Sequence, residues 1–91
     1  MMRCFYAGSF DPPTLGHIDL IRRASRLFDE VVVGVMINPD KKGMFPVPER
    51  VDMLREETED LPNVRVVADS GLTVDMARRQ GCQVLLRGVR G

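Results

Sequence analysis

Val31-Val32-Val33-Gly34-Val35-Met36-Ile37 is an unbroken apolar run, rich in β-branched residues that favour an extended backbone. A strand with one face in water alternates apolar and polar residues. One without alternation is covered on both faces and belongs inside a parallel sheet. Parallel neighbours need crossover connections, and helical patterns flank this run on both sides. Residues 15–28 carry an apolar stripe of Ile18, Ile21, Leu27 and Phe28, with Asp19, Arg22, Arg23 and Arg26 opposite. Pro48 opens a second helix reaching about residue 60, with Val51 and Leu54 inward and Glu56, Glu57, Glu59 and Asp60 solvated. A third helix covers residues 72–80 and stops at Gly81. Residues 3–7, 64–67 and 84–87 supply the remaining strands, giving βαβαβαβ. Right-handed crossovers then predict an α/β fold, a Rossmann-like open parallel sheet with helices on both faces.

Ligands of such sheets lie beyond the C-terminal ends of the strands, where strand order reverses. Those ends are Gly8-Ser9 and residues 38–42, 68–71 and 87–90. The first runs into Gly8-Ser9-Phe10-Asp11-Pro12-Pro13-Thr14-Leu15-Gly16-His17, which contains the chain's one histidine. A glycine-bearing turn lets backbone N–H groups approach an anion, and the positive end of the next helix faces the same place. Thr14 as N-cap puts His17 at the third helical position, a donor for a phosphate oxygen. Ser9 adds a hydroxyl and an amide. Lys41-Lys42 follow the second strand, and Arg87-Gly88-Val89-Arg90 leaves the fourth with two arginines suited to phosphate. A nucleotide phosphate site is the expectation. The other arginines, Arg22, Arg23, Arg26, Arg55, Arg78 and Arg79, read as surface charge beside acidic residues.

Several classes fall away. Thirteen basic and thirteen acidic residues cancel, so no global field recruits nucleic acid or an anionic membrane. No apolar run approaches the roughly 20 residues of a membrane span, and the N-terminus is not a signal peptide, so a cytoplasmic protein is expected. Cys4 and Cys82 read as two buried reduced thiols; with one histidine and no ligand spacing, no metal site is expected. No G-x-G-x-x-G follows the first strand and no Walker lysine motif occurs. The sheet ends without a helix over its last crossover, which reads as the N-terminal portion, residues 1–91, of one larger domain.

The ten residues from Gly8 to His17 resemble the T/H-x-G-H signature of the nucleotidyltransferase superfamily. With Thr14 in its first position, and with Lys41-Lys42-x-x-Phe45, Glu49-Arg50-Val51 and Arg87-Gly88-Val89-Arg90 in order, the chain resembles the bacterial phosphopantetheine adenylyltransferases along its whole length. The resemblance implies AMP transfer from Mg-ATP to 4′-phosphopantetheine, giving dephospho-coenzyme A and pyrophosphate in coenzyme A synthesis. It implies ATP contacts from Ser9, Phe10, His17, Gly88, Val89 and Arg90. The acceptor would meet Ser9, Lys41, Thr73 and Arg87, with His17, Lys41 and Arg87 carrying the catalysis. It also implies Mg2+ brought with ATP, coenzyme A as a related ligand, and a homohexamer. Members of that family continue beyond this region, with an acidic nucleotide contact and a serine-rich triphosphate motif that are not among these 91 residues. Two alternatives therefore stand beside it. One is a non-catalytic half-domain that binds ligand at most. The other is a related adenylyl- or cytidylyltransferase with another phosphorylated acceptor, although those usually have histidine where Thr14 stands.

Overall fold

The computed structural model describes residues 1–37, 43–70 and 73–87, with the side chains of Asp69, Thr73, Val74 and Arg87 outside that description. The elements are β1 (Arg3–Gly8), α1 (Leu15–Leu27), β2 (Glu30–Met36), α2 (Val47–Glu57), β3 (Val64–Asp69), α3 (Thr73–Arg79) and β4 (Val84–Arg87). The four strands are parallel and ordered β3-β2-β1-β4. The chain walks outward from β1 to β3, then returns across the sheet to place β4 on the far side of β1. That reversal makes the β1/β4 boundary the switch point of the sheet. The sequence expectation of an α/β open parallel sheet holds.

Period-two alternation divides the strands between two cores. Cys4 and Tyr6 of β1 and Val31, Val33 and Val35 of β2 pack with α1 and α2, through Ile18, Ile21, Ala24 and Leu54. Phe5 and Val32 point the other way, onto Met76 and Ala77 of α3. Helices thus cover both faces, as a fully apolar β2 requires.

Three expectations need correction. Leu27 is 79% exposed and not part of the apolar stripe. Steps of three residues fall about 60° short of a full turn, so a stripe through Ile18, Ile21 and Ala24 has rotated away by Leu27 and resumes at Phe28. Cys82 is half-buried, whereas Cys4 is fully buried; burial pushes the Cys4 thiol up to about 11. The second helix ends at Glu57, where the Thr58 amide and hydroxyl both donate to the Leu54 carbonyl, leaving Asp60 in the turn beyond. Arg22 grips Asp60 with two nitrogens, at 2.8 and 3.1 Å, and ties α1 to that turn. No helix among the described residues is long and apolar enough to cross a membrane.

Candidate functional site

β1 delivers Gly8 and the exposed Ser9 to the switch point. Phe10 follows at φ +49°, a left-handed conformation uncommon outside glycine. This turns its ring back beneath the turn, where it is 1% exposed. A side chain at Gly8 would crowd that ring, since a Cβ there would lie 3.1 Å from its tip. The ring meets Tyr6 edge-on at 5.3 Å and His17 at 4.9 Å between centroids. Phe10 therefore offers a ligand its backbone, while its ring supports the histidine.

His17 is held from a second direction. The Thr14 hydroxyl accepts the His17 amide at 3.2 Å, and His17 Nδ1 accepts the Thr14 amide at 2.9 Å, a reciprocal cap on α1. Thr14 is the N-cap and His17 the third helical residue, as the sequence predicts. An amide can only donate, so Nδ1 carries no proton and the neutral ring bears its hydrogen on Nε2. Burial lowers the His17 pKa from 6.5 and keeps the ring neutral near pH 7. The first turn of α1 also leaves amides without intrahelical partners. Turn amides, an Nε2–H donor and a helix N-terminus are the groups whose chemistry suits an anion.

Sheet register brings in the fourth strand. Arg87 pairs with Ala7, one residue before Gly8, while Gly8 pairs with Val35 and Met36 with Asp69. The backbone of Arg87 is thus beside the turn, and its side chain lies outside the described atoms. Thr73 opens α3; its side chain is outside them too. Lys41, Gly88, Val89 and Arg90 lie outside the described residues. Among the described residues no cluster of three or more His, Cys, Asp or Glu could hold a metal.

Two polar residues at this edge escaped the sequence reading as functional candidates. Asp11 accepts the Met44 and Phe45 amides at 2.7 and 2.8 Å, and Arg50 is 8% exposed beside it. A signal for Arg50 was present. Val47, Arg50, Val51 and Leu54 stand at i, i+3, i+4 and i+7, so this arginine occupies an inward position of an amphipathic helix. A buried guanidinium needs an acid, and Asp11 is that acid.

Comparison with known proteins agrees with the fold. Residues 5–90 match the cytidylyltransferase-like family. A phosphopantetheine adenylyltransferase of Symbiobacterium thermophilum is 57% identical over 90 residues, covering 99% of this chain and 56% of that protein. One of Clostridium kluyveri is 51% identical, again over 99% of this chain and 55% of the relative. The chain thus spans about half the length of these relatives. A lipopolysaccharide core biosynthesis protein from Thermoplasma volcanium superposes with a TM-score of 0.72 at 23% identity, over 93% of this chain and 72% of that one. Its likeness extends to the fold alone. With its family match running from β1 through β4, the chain belongs to the cytidylyltransferase-like family.

Proposed function

We propose that this chain is the nucleotide-binding portion of a phosphopantetheine adenylyltransferase. In this reading an oxygen of the 4′-phosphopantetheine phosphate attacks the α-phosphorus of ATP. The bond to the β-phosphate breaks, pyrophosphate departs, and the new phosphoanhydride is dephospho-coenzyme A. The nucleophile is already anionic, so no proton has to be removed, and alignment plus charge stabilisation supply the catalysis. His17 Nε2–H donates to an α-phosphate oxygen as charge grows on it, and the turn amides of Ser9 and Phe10 meet the nucleotide. Lys41 and Arg87 hold the acceptor phosphate, with Ser9 between the two substrates and Thr73 near the pantetheine arm. Gly88, Val89 and Arg90 approach the nucleotide. Mg2+ enters as part of Mg-ATP and shields its phosphates. A cytoplasmic homohexamer that also meets coenzyme A belongs to this same reading.

The observation that carries it is the pinned, neutral His17 with its proton on Nε2, at the switch point of a chain 57% identical to a named relative. A second reading, binding without turnover, is favoured by the 56% of that relative that the chain spans. Both are tested by pyrophosphate release with Mg-ATP, with and without 4′-phosphopantetheine. The comparison uses the 91-residue chain and a chimera joining residues 1–90 to the remainder of the Symbiobacterium relative. Acceptor-dependent release by both supports a self-sufficient enzyme; release by the chimera alone supports the second reading. Silence from both removes the adenylyl-transfer assignment. In the active form, His17→Ala lowers kcat about 100-fold and changes the KM for ATP little. Equal losses in kcat and ATP affinity would remove the transition-state role.

A further inference from the structure

Among the described residues, the two sides of the site meet through the buried charges of Asp11 and Arg50. The turn after β1 supplies Ser9, and the segment entering α2 supplies Gly43, Met44 and Phe45. Arg50 reaches both sides. Its Nε donates to the Phe45 carbonyl at 2.8 Å and its Nη1 to the Ser9 carbonyl at 3.4 Å, while Nη2 stands 3.5 Å from Asp11 Oδ2. Asp11 crosses in the opposite direction, Oδ2 taking the Met44 amide and Oδ1 the Phe45 amide. The Arg50 and Asp11 side chains are only 9% and 14% exposed. A Cβ at Gly43 would run into Asp11 Oδ2 and Arg50 Nη2, so the chain passes this point with backbone alone.

A buried ion pair is a poor source of stability, since apolar residues of like volume often do as well. It does fix geometry. We propose that Asp11 and Arg50 form a positioning brace that sets the Ser9–Phe10 turn relative to residues 43–45 at the entry to α2. In the adenylyl-transfer reading, on which this inference rests, it thereby aligns the two anionic substrates. Arg50 contacts the Ser9 backbone and not the reacting atoms, so it acts through the turn. Misplacement by about 1 Å costs an in-line reaction about 100-fold, which gives the brace a large lever on turnover.

The test compares Asp11→Asn, Arg50→Lys and the double variant in the 91-residue chain and in the chimera. It reads acceptor-dependent pyrophosphate release, together with the calorimetric Kd and stoichiometry for Mg-ATP. Each single variant lowers kcat about tenfold or more, while Kd stays within about threefold and stoichiometry is unchanged. The double variant is no worse than the more damaged single, because one unit has been broken. Unchanged kcat, additive losses, or a loss confined to Mg-ATP affinity would overturn the brace. If Arg50→Lys lowers the stoichiometry through poor folding, Gly43→Ala displaces the pair while keeping both charges. It should show the same split, and full turnover in it overturns the proposal. Backbone NMR separates failure of the brace from failure of the reaction assignment. In Asp11→Asn, the Ser9 carbonyl carbon, which Arg50 contacts, shifts together with the Met44 and Phe45 amides, whether or not the protein turns over. Shifts confined to Met44 and Phe45 overturn the coupling.

Discussion

On the α1/α2 side of the sheet, eleven described side chains form one buried cluster; on the α3 side the corresponding cluster has four. The deeper side also carries the site. Tyr6 and Phe10 belong to its core, Ile18 anchors the helix that presents His17, and Leu54 anchors the helix that presents Arg50. The site's side chains are thus extensions of the larger buried cluster among the described residues, and neighbours on several sides restrict their rotamers. Among the described residues, the shallower side has one aromatic ring, Phe5, which packs over Gly34 beside Met76. A Cβ at Gly34 would overlap the ring. Among the described residues, the first face shows the larger set of mutual contacts, and the second is marked by the close fit of Phe5 over Gly34.

The comparison breaks most readily through cavities. Ile21, fully buried between α1 and β2, should cost about 4 kcal/mol as Ile21→Ala, because its neighbours are fixed from several sides and cannot collapse. Met76, 2% exposed under the seven-residue α3, should cost about 2 kcal/mol as Met76→Ala, because a short helix with few partners can settle toward the sheet. Urea midpoints at equal m-values measure both. Equal losses would show that the two faces are packed alike, whatever their buried inventories.

A smaller effect sharpens the close-fit side. Gly34→Ala should destabilise by about 2 kcal/mol through overpacking against Phe5. Combining it with Phe5→Leu should recover about half of that loss, since the smaller side chain vacates the overlapped volume. Additive losses in the same urea experiment would place the clash elsewhere.

These contrasts were unevenly legible in the sequence. The apolar run of β2 announced a strand covered on both faces, because a strand with one wet face would have alternated. It could not say that α1 and α2 share one face, since that follows from strand order β3-β2-β1-β4, which a linear pattern does not encode. The Thr14 cap and the place of His17 were readable because capping chemistry is local, spanning three residues. The tautomer was not, as it depends on which ring nitrogen turns back to the Thr14 amide. Asp11 and Arg50 are 39 positions apart and meet only through tertiary structure, yet arginine in the inward stripe of α2 was a local irregularity. Phe10 was legible only in part: its expected contact runs through the turn, and the positive φ that sends its ring into the core is a tertiary outcome that the local pattern does not encode.

The gentlest way to test the deeper side is acid, because its cap holds a titratable group. Burial holds the His17 pKa below 6.5, so the unfolded chain takes up this proton at a higher pH than the folded one. The contribution is therefore present above pH 6.5 and is lost as pH falls through 6.5 toward the folded value. The geometry gives the same sign, because a protonated Nδ1 would point a hydrogen at the Thr14 amide and break the reciprocal cap. His17→Gln keeps a carbonyl oxygen able to accept that amide, and has nothing to titrate. The urea midpoint of the unaltered chain should consequently fall more steeply than that of His17→Gln as pH drops below 6.5. The remaining carboxylates are common to both proteins and cancel in the comparison. Equal slopes would mean that Nδ1 is not the acceptor in solution, and the Nε2–H donor proposed for the α-phosphate would lose the hydrogen bond that orients it.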